Sequence, residues 1–264
     1  MDKVTLHRLS EHKRKKTKFA ALTAYDASFA RCISEVGIEV ILVGDSLGMV
    51  FQGNKTTIPV TIEQMAYHTE CVSRGNKRSL IMVDMPFLSG TNNSEAIISA
   101  KKLMQAGAEV LKLEGELDTC ERIRYLTGNG IPVCAHIGLM PQFIHQTSGY
   151  KIQGKGKVAY EHLLSKAIAM EKAGAALILL ECIPEELAEA IDDSLNVPTI
   201  GIGAGSKVTG QILVLYDIIG LTNNLPRFVK NFMENGKSIP EAIEAYDKAV
   251  KSEIFPNPEN TYSA

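Results

Sequence analysis

The stretch VILVGDSLGM, residues 40–49, carries an apolar run that stops at Gly44 and then delivers Asp45 and Ser46. LIMVDMP at 80–86 and VLKLEG at 110–115 repeat the arrangement and set Asp84 and Glu114 at the ends of further apolar runs. A short apolar run closed by Gly or Pro reads as a buried strand opening into a loop. Three carboxylates therefore arrive from three strands. In a parallel α/β barrel all strand C-termini share one face, where gathered acids repel one another unless a cation lies between them. An all-oxygen ligand set selects Mg²⁺ or a similar hard ion over zinc. Any one of these acids alone reads as a turn or helix-cap residue; the trio in this strand context points to a metal.

Other polar residues fall at comparable positions. Ser46 and Lys112 are donors, His136 ends IPVCAH at 131–136, and Glu181 ends AALILLE at 175–181. Lys112 alternates with Leu111 and Leu113 and so shares a side with Glu114; it fits a structural ion pair or a substrate contact equally. His136 fits a satisfied core histidine or a site group, and Glu181 fits a helix-cap acid or a general base. Together the set suits enolisation of a 2-oxo acid. A metal chelating the carboxylate and its neighbouring keto oxygen stabilises enolate charge while a base takes the proton from the next carbon.

Positioning these residues requires a repeating βα chain. Strands are expected at 19–25, 40–44, 80–84, 110–114, 131–136, 175–181 and 199–203, with helices at 28–36, 61–74, 94–106, 118–126 and 159–173, several closed by Gly. A leading helix covers 5–16, and helical character returns at 227–234 and 240–253. Six strand tips carry Asp, Glu or His (Asp26, Asp45, Asp84, Glu114, His136 and Glu181), which favours a (β/α)8 TIM barrel with an N-terminal helix over a doubly wound sheet. The apolar run 211–219 is either the eighth strand after a stunted connection or the seventh helix. The connection from 137 to 158 exceeds an ordinary βα loop and is a candidate lid or assembly segment. No linker divides the chain, so residues 1–264 are expected to form one domain.

Composition narrows the function classes. The chain of 264 residues is 45% hydrophobic and 22% charged, with formal net charge -2 and a pI near 6.3, which gives no global case for nucleic acid or an anionic membrane. The basic run 12–16 is a solvated helix end. Five dispersed cysteines without a Cys-x-x-Cys spacing read as reduced, buried thiols, and no run approaches the roughly 18 apolar residues of a membrane span; a cytoplasmic location is expected. GIGAG at 201–205 lacks the G-x-G-x-x-G spacing, and neither a phosphate-loop motif nor a G-x-S-x-G elbow is present.

The segments TAYDASFA (23–30), VGDSLGMV (43–50), TIPVT (57–61), VDMPF (83–87), KLEG (112–115), HIGLMPQ (136–142), GYKIQGK (149–155), LLEC (179–182), GIGAG (201–205) and GQILVLYD (210–217) together resemble the ketopantoate hydroxymethyltransferase family, from about residue 3 to residue 255. The resemblance implies a (β/α)8 barrel in which Asp45, Asp84 and Glu114 hold or surround Mg²⁺, Ser46 and Lys112 contact the oxo acid, and Glu181 deprotonates C3 of 3-methyl-2-oxobutanoate. Asp45, Asp84 and His136 would also border that substrate. The enolate would take a one-carbon unit from 5,10-methylenetetrahydrofolate and give 2-dehydropantoate, the first committed step of pantothenate synthesis. The family's ring-like homo-oligomers, commonly decamers, imply the same assembly here. At 220–224 the chain has GLTNN where the family carries a glycine-rich GITGG-type turn. The phosphoenolpyruvate mutase and isocitrate lyase type shares barrel, Mg²⁺ and enolate chemistry, but no Lys-x-x-x-Cys-Gly loop is present; a silent scaffold barrel is opposed by the polar strand tips.

Overall fold

The computed structural model describes residues 2–147, 149–223, 225–234 and 237–263. In chain order the elements are α1 (Leu6–Lys15), β1 (Phe19–Thr23), α2 (Ala27–Val36), β2 (Val40–Val43), α3 (Leu47–Val50), α4 (Ile62–Gly75), β3 (Leu80–Asp84), α5 (Asn93–Ala106), β4 (Val110–Glu114), α6 (Thr119–Gly128), β5 (Val133–Gly138), α7 (Ile144–Thr147), α8 (Lys157–Lys172), β6 (Leu177–Glu181), α9 (Glu185–Ser194), β7 (Thr199–Ile202), β8 (Gly210–Leu213), α10 (Leu215–Ile218) and α11 (Ile239–Lys251). The eight strands pair in sequence order, all parallel, and β8 pairs back onto β1 to close the barrel. This is a (β/α)8 TIM barrel.

Local chemistry sets the element boundaries. Thr61 and Gln64 form a reciprocal capping box at the start of α4, Asp26 accepts from the backbone of Ser28 and Phe29 to start α2, and Asn92 accepts from Glu95 to start α5. Each satisfies backbone donors that the first helical turn leaves unpaired. Gly107 ends α5 at φ 117, a left-handed conformation that a side chain would oppose.

Two apolar clusters hold the fold. One lies between strands and helices; the other fills the barrel, with Phe19, Ala21, Val40, Leu42, Leu80, Met82, Val110, Cys134, Leu177, Leu179, Ile200 and Ile212 from successive strands. Val4 and Leu9 of the N-terminal segment join this inner cluster beside the starts of the strands, so α1 plugs the N-terminal end of the barrel. Lys13 ties it there, 2.5 Å from Asp192 at the end of α9. Gly210 makes room for Phe19, whose ring carbon Cζ would stand 2.4 Å from any added Cβ. The free cysteines depart from the expectation in part: Cys120, Cys134 and Cys182 are buried, but Cys32 and Cys71 are half-exposed.

The ambiguous run 211–219 is both elements. β8 takes Gly210–Leu213, Val214 breaks it, and α10 follows at once, started from the neighbouring strand β1, where Thr23 Oγ1 accepts from the Leu215 N–H at 3.0 Å. No helix separates β7 from β8; α11 packs where the barrel closes, and its Tyr246 hydroxyl reaches the carbonyls of Ala21 in β1 and Gln211 in β8 at 3.1 and 3.0 Å. The expected helix at 227–234 is a correction, since residues 227–233 contain a turn and otherwise irregular backbone. Their polar groups are met elsewhere: Asn260 donates to the carbonyls of Arg227 and Val229, and the Phe232 N–H donates to Ile218. In the GLTNN segment, Asn224 lies outside the described residues.

Candidate active site

The period of two along a strand decides which side chains enter the barrel. Val110 belongs to the inner cluster, so Lys112 and Glu114 point inward; Met82 does the same for Asp84, Cys134 for His136 and Leu179 for Glu181. The apolar filling therefore gives way, one or two residues later, to a charged layer at the strand C-termini. Asp45 and Ser46 join it from the turn after β2, where the Asp45 N–H donates to Asp84 Oδ2 at 3.0 Å. Just beyond β6, Cys182 adopts φ 49 and its N–H donates to Ile202, turning the chain away directly after Glu181.

Lys112 sits at the centre. Its ammonium is 3.1 Å from Asp84 Oδ1, 3.6 Å from Glu114 Oε1 and 3.0 Å from His136 Nδ1. Burial opposes the charge, but Asp84, Glu114 and Asp45 outweigh it and hold the lysine above its ordinary pKa. Burial likewise pushes Asp45 and Asp84 upward; Asp45 is raised further by its acidic neighbours, whereas Lys112 pulls Asp84 back. At Glu114 the effect of burial is overcome by Lys112 and His136, and its carboxyl stays below the usual range. Beneath this layer, burial pushes the Cys134 thiol up to about 12, which leaves it protonated and inert.

His136 links the cluster to Glu181. Nε2 lies 3.2 Å from Glu181 Oε2, and Nδ1 lies 3.3 Å from Glu114 Oε1. Burial and Lys112 oppose protonation of the ring, the two carboxylates favour it, and the net direction is upward. In the neutral ring, Lys112 can only donate, so Nδ1 accepts and the remaining proton sits on Nε2, facing Glu181. Ser46 Oγ is held 2.9 Å from the Tyr25 hydroxyl.

The six residues singled out with Glu181 from the sequence, namely Asp45, Ser46, Asp84, Lys112, Glu114 and His136, all line the same cavity of about 600 Å³ with it. Gln142 is the residue that strand-end reasoning missed. From the turn Pro141–Phe143 its side-chain amide donates to Asp45 Oδ2 at 2.8 Å and to the Met85 carbonyl at 3.0 Å, while its N–H donates to Glu114 Oε2 at 3.0 Å. The one available signal was its place in HIGLMPQ. Tyr25, which positions Ser46, was likewise visible only as part of TAYDASFA.

Among the described residues no three His, Cys, Asp or Glu side chains are already gathered at metal-ligating distances; the Lys112 ammonium lies between Asp84 and Glu114. Even so, Asp84 Oδ1 and Glu114 Oε1 are buried without an aligned hydrogen-bond donor, a condition that buried acceptors rarely sustain.

Fold and site define an α/β-barrel enzyme whose acid-rich, lysine-centred pocket lies at the strand C-termini. The chain matches the family model described as ketopantoate hydroxymethyltransferase over residues 3–258. It belongs to that family. It is 53% identical over 262 residues, spanning 99% of both chains, to the 3-methyl-2-oxobutanoate hydroxymethyltransferase of Marinobacter nauticus, and 47% identical over 263 residues, spanning the whole of both, to that of Proteus mirabilis. Among solved structures, phosphonopyruvate hydrolase superposes with a TM-score of 0.63 at 14% identity, covering 83% of this chain and 84% of that one. For 2,3-dimethylmalate lyase the values are 0.59, 16%, 83% and 80%. At such identities the likeness is one of fold.

Proposed function

We propose that the chain transfers a hydroxymethyl group from 5,10-methylenetetrahydrofolate to 3-methyl-2-oxobutanoate, giving 2-dehydropantoate and tetrahydrofolate as the first committed step of pantothenate synthesis. The observation that carries the reading is the convergence of Asp45, Asp84, Lys112, Glu114, His136 and Glu181 on one cavity in a chain of this family. The acceptor is the one named in its full-length relatives.

The donor set fits Mg²⁺: oxygen atoms only, two of them buried without an aligned hydrogen-bond donor, from the carboxylates of Asp45, Asp84 and Glu114 gathered about Lys112 and His136. Asp45 and Asp84 would hold the ion. Glu114, engaged by the Gln142 N–H and close to Lys112 and His136, would complete its surroundings through water. In that place a divalent cation supplies Lewis-acid polarisation of the 2-oxo group.

The remaining steps belong to side chains. Lys112 and Ser46 donate to the oxo acid and orient it, and Tyr25 fixes the Ser46 hydroxyl. Glu181 takes the C3 proton, breaking the C–H bond and leaving the electron pair as an enolate; His136, 3.2 Å away, holds the carboxylate in place. C3 then bonds to the donor's methylene carbon as both of that carbon's C–N bonds break; water supplies the hydroxyl oxygen, and one water proton and the C3 proton held by Glu181 go to the two nitrogens of the departing tetrahydrofolate. Free cysteines suit a reducing cytoplasm, and no helix among the described residues is long and apolar enough to cross a membrane. A homo-oligomer, a decamer on the family pattern, is the expected assembly, and size-exclusion chromatography with light scattering tests it.

Proton NMR of 3-methyl-2-oxobutanoate in D₂O tests the chemistry directly. With protein and Mg²⁺ the C3 proton signal is expected to vanish, and EDTA should preserve it. Absence of exchange with Mg²⁺ and tetrahydrofolate both present would overturn the proposal.

A further inference from the structure

The acid cluster and Glu181 line the cavity from the turn after β2 and from β3 to β6. The rest of its wall includes β7, β8, α10 and the chain that follows, which the chemistry above leaves unused. Its one carboxylate is Asp217 of α10, which lines the cavity yet is 93% buried. Burial raises it, offset by a hydrogen bond from the Thr222 side chain. An acid kept in so enclosed a wall is poorly solvated, so a ligand donor that reaches it from the cavity gains a strong acceptor.

Two aromatic rings line the same cavity as Asp217. Phe228 and Tyr262 close against the end of β7 at Gly203, where an added Cβ would stand 2.9 Å from Phe228 Cδ1 and 3.3 Å from Tyr262 Cε2. Both rings face the cavity. Tyr262 is not a loose tail residue: its carbonyl accepts from the Glu185 N–H at 2.9 Å, and the Arg227 guanidinium lies over its ring at 5.8 Å. A cavity of about 600 Å³ falls within the range that holds drug-sized ligands and leaves ample room beside a five-carbon acid.

We propose that this wall is the pterin subsite for the one-carbon donor, with Asp217 accepting from the paired N–H donors of the 2-amino-4-oxopyrimidine edge and Phe228 and Tyr262 packing on the ring face. A carboxylate matches two adjacent N–H donors bidentately, and aromatic rings stack on planar heterocycles. Because β7 pairs with β6, with Ile202 beside Glu181, the subsite borders the proposed base, as transfer of a methylene carbon to C3 requires. This assignment rests on the folate-dependent reading above.

The test is Asp217→Asn in the full chain with Mg²⁺ present. Loss of a charged acceptor should weaken tetrahydrofolate binding, read by calorimetry, about 10- to 100-fold, with a parallel rise in KM for 5,10-methylenetetrahydrofolate. Donor-independent C3 exchange of the oxo acid should stay within about twofold of wild type. Wild type should also bind tetrahydrofolate better than its 2-desamino-2-methyl analogue, and the variant should lose that preference, a change that a merely structural Asp217 would not produce. If Asp217→Asn fails to fold, Phe228→Ala carries the test through the same folate affinity. Unchanged folate affinity, a retained preference for the 2-amino compound, or a parallel fall in exchange would each overturn the assignment. Exchange missing from wild type would instead overturn the reaction itself.

Discussion

The N-terminal and C-terminal ends of the barrel interior come from the same strands in the same register, yet their chemistry is opposite. At the floor, Phe19, Val40, Leu80, Val110 and Leu177 pack under Val4 and Leu9 of the plug. At the mouth, two to five residues further along the chain, stand Asp45, Asp84, Lys112, Glu114 and Glu181. The floor gains stability from apolar burial, about 1.5–3 kcal/mol for a fully buried large side chain. The mouth holds buried charges whose desolvation opposes the attraction between them. The difference teaches a division of labour: the floor maintains the barrel, and the mouth holds a reactive arrangement the barrel would be no less stable without.

The sharpest way to break that division is Glu181→Gln. If the mouth does the chemistry, the variant loses C3 exchange by about 10²–10⁴-fold, the usual contribution of a general base, while its melting temperature moves little. The NMR experiment above reads the first quantity and scanning fluorimetry the second. Wild-type exchange would remove Glu181 from the base role. Phe19→Ala makes the reciprocal change at the floor. It should lose about 3–5 kcal/mol by urea denaturation, and the fraction that remains folded should exchange C3 at the wild-type rate. A steep fall in that rate would mean the floor sets the geometry of the mouth.

How much of this could be read in the sequence differs between the two ends. β3 and β4 were found with their full extents because each apolar run stops at the acid that marks its tip, and side-chain parity then put Lys112 and Glu114 on one side. The plug was visible as a helix, but its docking was not, since Val4 and Leu9 are buried by strands far along the chain. Residues 211–219 remained ambiguous because a run buried on all sides has no period to separate strand from helix; the break at Val214 is followed by a hydrogen bond that the Leu215 N–H donates to Thr23. The helix expected at 227–234 failed because Asn260, some thirty residues on, satisfies that backbone. Gln142 escaped for the same reason, as its partners Asp45 and Glu114 lie on other strands. Residues at strand ends announce themselves locally, whereas residues that act through long-range contacts do not.

Gln142 also sharpens the comparison. It ties Asp45 to Glu114 without belonging to a strand, so Gln142→Ala should leave the floor intact and weaken Mg²⁺ affinity about 10- to 100-fold, as loss of an outer positioning group does at metal sites. Calorimetric titration of Mg²⁺ in the presence of the oxo acid measures this. Affinity equal to wild type would show that Asp45 holds its place without the Gln142 side chain.

The smallest expected effect is the most direct probe of a mouth built for function. Asp45 is pushed upward by burial first and by the charges of Asp84 and Glu114 next, so in metal-free protein its ionised form opposes folding. Its folded pKa lies above the unfolded value; the stabilising contribution is therefore present below that unfolded value and is lost as pH rises through the folded one. Asp45→Asn removes this charge and leaves a side-chain oxygen able to accept from Gln142. Metal-free variant at neutral pH should melt higher than wild type; a relief of about 1 kcal/mol corresponds to roughly 2–4 °C in a chain of this size. The order should reverse when Mg²⁺ is added, because an ion bound by the native state alone stabilises it by mass action and the variant has lost a ligand. Scanning fluorimetry with and without Mg²⁺ reads both signs at once. A lower metal-free melting temperature in the variant would mean that Asp45's hydrogen bonding outweighs the repulsion, and the carboxylates of the mouth would then stabilise the barrel as the floor does.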